Sequence, residues 1–439
     1  MAEAAAGALY AVEHLIEGAV VAAKGIYDPT LPLKATLKPL VGVSVPLAYH
    51  SVSLVKGRAY LFGGKTGDGE GAPLASNDVH VVILPSSGVE SMDYKKLDAT
   101  KDAPPARYGH SSAVIEERIY IFGGCGQDRQ PIDENGRVWV YDTATNTWSH
   151  FDPSSKDAFP PARSNGAAVA SVHPRQAQRR ADQDVMPQHP PDPETTMPDI
   201  PDTDTYGTFV VQGGQGIDGH ALNDVWTFDI SSRTWKELPD CPPPSSPHPS
   251  LAMVDNRLYT FSAGQTSYLD VSRSSYDDRS GQGELGLAPL GPWQSIPPTS
   301  SSPEKPHPGE RSAASMVPVT TGQGRNYLLL LGGESQAGET LEDIWTLQLK
   351  PEGMTAASFK DAARMAVKMD TREATWSEVK YLDSEGVMIQ EGQPGRGLGV
   401  RRGGAAGKGG EVDGASVVVW GGIGADGKAR GDGLMVTVE

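Results

Sequence analysis

Two cysteines in 439 residues, Cys125 and Cys241, are too few for a disulfide framework or a multi-cysteine zinc site. Such a chain suits a reducing compartment. Base is also scarce: 38 Lys and Arg stand against 55 Asp and Glu, a formal net charge of -17. That balance argues against a nucleic-acid or anionic-membrane surface, either of which needs a basic footprint. No apolar run reaches the roughly 18 residues that cross a bilayer. Glu3, Glu13 and Glu17 interrupt the N-terminus, which lacks the basic start, apolar stretch and cleavage site of a signal peptide. The expectation is a soluble protein of the cytosol or nucleus. HExxH, a P-loop and a Gly-x-Ser-x-Gly elbow are all missing, which removes the commonest metalloprotease, nucleotide and hydrolase readings. No cofactor and no metal site is expected.

What is plentiful is punctuation. With 51 Gly and 35 Pro and few helix-forming runs, the chain reads as all-β, many short strands separated by turns. The strands repeat. YLFGG ends at Gly64, YIFGG at Gly124, VVQGG at Gly214, LLLGG at Gly333 and VVWGG at Gly422, with a weaker TFSAG ending at Gly264. Around them recur an acid and two tryptophans. Asp224 precedes Trp226, and Trp235 follows nine residues later; Trp139 and Trp148 keep the same spacing; Asp343, Trp345 and, after an insertion, Trp376 continue it. The first copy has Asn77-Asp78 without tryptophan.

Strand, Gly-Gly, turn, acid, strand and Trp in this order resemble the kelch repeat, in which each copy builds one four-stranded blade of a β-propeller. The resemblance covers residues 35-439 and implies six blades, of the kind found in the galactose-oxidase-like copper-radical enzymes. The last segment, residues 432-439, looks like the third strand of a blade, and residues 35-42 look like a fourth, with Leu37 in the Trp position. The N-terminal strand is therefore expected to complete the last blade and close the ring. Residues 1-34 carry Leu9, Val12, Ile16, Val20 and Ala23 at helical spacing and predict a short amphipathic helix. Three insertions are expected on one face: a disordered polar segment over 173-205, a helix within 351-371 and a Gly-rich loop over 401-413.

Two chemistries known on kelch propellers find little support in these residues. Neither cysteine has the setting of the oxidases' Cys–Tyr pair. The Glu-x3-Asp-x3-His iron motif of plant specifier proteins is matched by Glu339 and Asp343, but Leu347 stands in the His position.

A further repeat lies just before the inner strands. Arg107, Arg163, Arg311 and Arg396 occupy it in four copies, Leu47 and Pro247 in the others. These positions should ring one mouth of the central channel, where guanidinium forks bind carboxylate or phosphate; bracing of neighbouring blades is the other use open to them. The following residues, Ala48, Tyr108, Ser164, His248, Ser312 and Gly397, differ from blade to blade, as an asymmetric ligand requires. Kelch relatives commonly act as scaffolds. The resemblance thus implies a non-enzymatic interaction module whose ligand site is Arg107, Arg163, Arg311, Arg396, Ser164 and Ser312 and whose partner is an acidic protein segment. The alternative is an isomerase, cyclase or lyase on an anionic small molecule, with Tyr108 or His248 moving the proton.

Overall fold

The structure, a computed structural model, describes residues 29-439 apart from 68, 70, 86-91, 156-157, 175-205, 274-285, 298-305, 323, 391, 394 and 410-413. The amphipathic stretch at the N-terminus, most of the polar insertion and the end of the Gly-rich stretch lie outside the described residues.

Six small sheets, antiparallel but for one outer pair, form six blades. The second is the simplest: Ser111–Ile115, Arg118–Phe122, Val138–Asp142 and Thr147–Phe151 pair in sequence order. The first repeats this order with Ser51–Val55, Arg58–Phe62, Val79–Ile83 and Asp93–Leu97. In the third and fifth blades a two-residue strand, Arg163–Ser164 or Arg311–Ser312, precedes the main inner strand and pairs with the same neighbour. In the fourth, the outer position is shared by Leu287–Pro289 and Gln294–Ile296. Inner strands of consecutive blades touch in cyclic order, and those of blades one and six touch each other.

The sixth sheet contains both chain ends. Gly433–Val438 pairs antiparallel with Lys34–Leu40, which pairs in turn, in parallel, with Lys380–Leu382. Ala405–Lys408 is the inner strand here, in register with Ser416–Trp420. The sequence expectation of a loop over 401-413 is therefore corrected. Its small residues disguise a strand, because an inner strand is flanked closely on both sides and has little space for side chains.

Each pair of neighbouring blades encloses one apolar cluster, six among the described residues. The second Trp of a blade reaches back across this boundary. Trp148 packs on Phe62, Trp235 on Phe122 and Trp376 on Phe261, at ring-centroid distances of 4.9, 5.1 and 6.0 Å. Three repeats thus use one aromatic contact to hold one blade to the blade before it.

Gly-Gly has a steric cause. The first glycine of blade two has φ 67° and the second 96°, both in the left-handed half of conformational space. A Cβ on Gly123 would lie 2.5 Å from the carbonyl oxygen of Arg163 in the next blade. That carbonyl instead accepts the N–H of Gly124 at 2.9 Å, as Arg107 accepts from Gly64 and Leu47 from Gly422.

His50 packs against Gly421 and His110 against Gly63, each histidine filling the boundary with the preceding blade. His110 Nε2 shares a 2.8 Å hydrogen bond with Ser51 Oγ. Burial lowers both imidazoles from 6.5 to about 3, so both are neutral. The unfolded chain takes up these protons first as pH falls. Their contribution to stability is complete above 6.5 and declines toward 3, by about 1.4 kcal/mol per histidine per pH unit. Denaturant melts between pH 7 and 4 are expected to show this slope, and His50→Gln with His110→Gln to flatten it. A chain lacking residues 1-41 loses buried Leu31, Leu33 and Leu40, each worth about 1.5–3 kcal/mol. Its melting temperature should fall well below that of the full chain, and an unchanged melt would refute the importance of the Lys34–Leu40 strand.

Candidate functional site

The arginines before the inner strands do not project into the channel mouth. Arg107 has 0% of its surface exposed. Its guanidinium forks Glu134 with two 2.8 Å bonds, donates to the Gly123 carbonyl at 2.9 Å and turns Nε back to the Pro105 carbonyl at 3.2 Å. Arg163 repeats the pattern on Asp224, with two bonds of 2.7 Å, and on the Gly213 carbonyl at 3.1 Å. Arg311 does so on Asp343, at 2.7 and 3.0 Å, and on Gly332 at 3.0 Å. The carboxylate also takes the indole N–H of the blade's first Trp: Trp139 on Glu134, Trp226 on Asp224 and Trp345 on Asp343, at 2.8, 2.8 and 2.6 Å. Each arginine therefore ties together the chain before its inner strand, the Gly-Gly turn and the acid near strand three. The geometry displays bracing within one blade, not the expected bracing of neighbouring blades.

In blade six the position belongs to Arg401, not Arg396. Arg401 donates Nε to Leu398 O at 2.8 Å, reaches Gly421 O at 3.3 Å and pairs with Asp432 at 2.9 Å. It stands four residues before Ala405, which pairs with Trp420, as Arg107 stands four before Ser111, which pairs with Phe122. Arg396 lies in the preceding connection, partly exposed, 3.1 Å from Glu378. The residue that follows the fork is accordingly Arg402, not Gly397. Blade four needs a similar shift: Ser250 pairs with Phe261, so Ser246 rather than Pro247 holds the arginine's place. Ser164 is buried and Ser312 half-buried behind the mouth. The proposed six-residue ligand set is not gathered around one opening.

One residue further along the chain, three side chains, those of Tyr49, Asn165 and His248, line a cleft at the mouth. This third position holds Tyr49, Gly109, Asn165, His248, Ala313 and Gly403. Main-chain bonds link it from blade to blade: Tyr49 N to Gly403 O at 2.7 Å, Gly109 N to Tyr49 O at 2.8 Å, Asn165 N to Gly109 O at 2.6 Å and Ala313 N to His248 O at 3.3 Å. Tyr49, Asn165 and Ala313 hold φ of 56°, 57° and 53° there. A non-glycine residue pays for this conformation, and the inter-blade bonds hold it.

An open cleft of about 330 Å³ lies at this mouth, lined by Tyr49, Lys65, Gly69, Tyr108, Arg129, Asn165 and His248. No carboxylate is among these residues. Lys65 Nζ sits 3.6 Å over the Tyr108 ring, and Arg129 donates to the Gly69 carbonyl at 3.1 Å. Both cations come from the segments that follow Gly-Gly. Burial pushes the Tyr108 hydroxyl up to about 12, and the Cys125 thiol also upward; burial lowers His248 to about 4. Near neutral pH all three are uncharged. Of the residues singled out from sequence, Tyr108 and His248 reach the cleft. Lys65 and Arg129 were missed, although their place after Gly-Gly, on the face shared with the blade starts, was a usable signal.

Asp343, the one acid of the partial iron motif in a repeat position, has its carboxylate bound by Arg311 and Trp345. No group of three or more metal-ligating side chains occurs among the described residues. No helix among them is long and apolar enough to cross a membrane.

Removing the Arg107 fork leaves Glu134 without its cation in a nearly closed site, so Arg107→Ala should cost about 3–5 kcal/mol in denaturant unfolding. Arg396→Ala, at a partly exposed pair, should cost about 0–1 kcal/mol.

Comparison with known proteins places these repeats. Residues 37-175 match the KLHDC2/KLHL20/DRC7 Kelch-repeats domain. An F-box/kelch-repeat protein of Arabidopsis thaliana is 24% identical over 330 residues, covering 71% of this chain and 58% of its own. Acyl-CoA-binding domain-containing protein 5 of the same plant is 25% identical and covers 44% and 34%; human host cell factor 2 is 26% identical and covers 57% and 27%. The chain thus matches between about a quarter and three fifths of the length of these relatives. The solved structure of YjhT shares the fold with a TM-score of 0.52 at 15% identity, over 91% of this chain and 99% of its own. Six blades with repeated Gly-Gly, Arg–carboxylate and Trp, together with these matches, support a kelch-repeat family.

Proposed function

We propose that this propeller is a protein-interaction module that holds an acidic segment of a partner at the Gly-Gly face. The observation that carries this reading is the composition of the cleft: Lys65 and Arg129 beside Tyr49, Tyr108, Asn165 and His248, with no carboxylate in the lining. On a chain of net charge -17, two cations at an open mouth concentrate negative charge of a partner there. Tyrosine faces supply rigid contact area, and the Lys65–Tyr108 stack keeps its ammonium at the rim. One curated relative is named for a kelch repeat together with an F-box and another for an acyl-CoA-binding domain, which suits a propeller used as a recognition part within varied proteins.

The alternative of proton-transfer chemistry on an anionic small molecule is less well served. A general acid or base works best with a pKa near the working pH. Tyr108 at about 12 and His248 at about 4 are displaced in opposite directions away from it. The cleft is also open, whereas small-molecule sites bury most of their ligand.

Lys65→Glu with Arg129→Glu reverses the charge of the cleft without touching a fork. Fluorescence anisotropy with a set of acidic peptides should show binding that weakens about tenfold or more in the variant and that falls with added salt in the parent. Thermal melting should be unchanged. Equal peptide binding by parent and variant would count against the mouth as the recognition site.

A further inference from the structure

In blades two, three, five and six the segment after Gly-Gly makes the same tight turn. Its first residue donates its N–H to the carbonyl of the fifth: Gly126 to Gln130 at 3.3 Å, Gly216 to His220 at 3.0 Å, Ser335 to Glu339 at 2.8 Å and Gly424 to Lys428 at 2.9 Å. Its fourth residue donates back to the first: Arg129 to Gly126 at 3.2 Å, Gly219 to Gly216 at 3.0 Å, Gly338 to Ser335 at 2.9 Å and Gly427 to Gly424 at 3.0 Å. That fourth residue is left-handed in all four turns, with φ of 63°, 79°, 79° and 74°. Three blades meet the demand with glycine; blade two meets it with arginine. A Cβ on any of the three glycines would come no closer than 3.7 Å to a neighbouring atom, so glycine answers the backbone there and not crowding. Arg129 therefore carries a conformational cost that its counterparts avoid.

The link its side chain makes within the propeller is duplicated. Arg129 is exposed and donates Nη2 across to the Gly69 carbonyl of blade one at 3.1 Å. Gln127, two residues earlier, already joins the same two segments by accepting the N–H of Leu74 at 3.1 Å. A second, exposed bond adds little stability. What the side chain alone supplies is a guanidinium in the wall of the cleft, beside Lys65 and Tyr108. Tyr49, on the blade-one side of the cleft, departs in the same way. It holds φ 56° where Gly109 and Gly403 hold 62° and 65°, and its ring stands edge-on to Tyr108 at 6.5 Å. Large side chains thus occupy two glycine-type positions at one cleft. Such strain persists where the side chain that incurs it is used.

We infer that Arg129 is the specificity-determining residue of the mouth, taking one side-chain carboxylate of the partner's acidic segment in its guanidinium fork. This rests on the reading of the mouth as a site for an acidic segment. A planar fork fixes the direction of a carboxylate, which an ammonium cannot do. Lys65, stacked on the Tyr108 ring, adds charge without direction. One fork and one ammonium suit a singly charged planar group better than a phosphate dianion.

A labelled Gly-Ser peptide carrying a short run of glutamates is the probe, with its glutamine and phosphoserine counterparts as controls. By fluorescence anisotropy, Arg129→Gly should weaken binding of the glutamate peptide about tenfold or more. Arg129→Lys keeps the charge and loses the fork, and should weaken it about fivefold or more. In denaturant, the unfolding midpoint of Arg129→Gly should equal or exceed that of the parent, because glycine relieves the turn. A lowered midpoint makes Arg129 a brace and overturns the inference. So does undiminished binding by either variant, or tighter binding of the phosphoserine peptide than of the glutamate peptide by the parent. If Lys65→Met weakens binding and Arg129→Gly does not, the acidic-segment reading stands and the role of Arg129 falls. Equal binding of the glutamate and glutamine peptides by the parent overturns both.

Discussion

A carbonyl aimed at a glycine organises this propeller. The main chain before the inner strands of blades one, two and three presents its carbonyl to the Gly-Gly of the preceding blade, as Arg163 does to Gly123 and Gly124, and no side chain fits between them. Buried polar groups must be paired where water cannot reach. The guanidinium of the same residue then gathers what the turn leaves over: the carbonyl of the first glycine of its own blade, a carbonyl two or three residues back, and a carboxylate near strand three. Arginine suits this because its planar fork satisfies carboxylate and carbonyl together at fixed angles. The indole N–H of the first Trp supplies one more donor to the carboxylate, so the acid is held by both arginine and tryptophan.

Relaxing that constraint at particular blades produces asymmetry. Blade one has Leu47 in the arginine's place, and its acid Asp78 turns to Lys96 at 2.7 Å, Ser76 at 2.6 Å and the Ala99 amide. Blade four has Ser246 and no fork. Blade two keeps the fork but changes the acid: Arg137 occupies the place of Asp224 and Asp343, two residues before Trp139, and Glu134 reaches in from the preceding loop. The resulting ring is regular in backbone and irregular at its rim. The cleft lies over blades one to four, where Tyr49, Asn165 and His248 fill the third position in blades one, three and four and Gly109 leaves room in blade two; Ala313 and Gly403 leave it nearly bare in blades five and six.

The repeat was legible because its demands are local. Gly-Gly at φ values near 65° and 96° and Trp beside an acid recur at fixed spacing, and five of six copies could be aligned by eye. The arginines were equally visible as a pattern, yet their use was not. A fork needs a partner, and the distance to Glu134, 27 residues on and out of the usual acid position, is a property of the folded blade. Blade six failed for a different reason. Ala405–Lys408 is built of Ala-Ala-Gly-Lys, so strand propensity gave no signal and the arginine was placed five residues early. Only the pairing with Ser416–Trp420 sets that register. Lys65 and Arg129 stand in the segments after Gly-Gly, whose residues differ from copy to copy, so no repeat marks them.

Separating the two kinds of cation also explains how such a ring can carry a specific surface. A fork arginine is bound to two carbonyls and a carboxylate, so changing it disturbs the blade before it changes recognition. Lys65 and Arg129 sit on segments that begin where the Gly-Gly constraint ends, at a rim reached by water. Substitution there alters the charge offered to a partner at little cost to packing, as is usual for surface positions away from buried networks. The repeat thus fixes where the rim residues stand, and the short segments after Gly-Gly decide what they present.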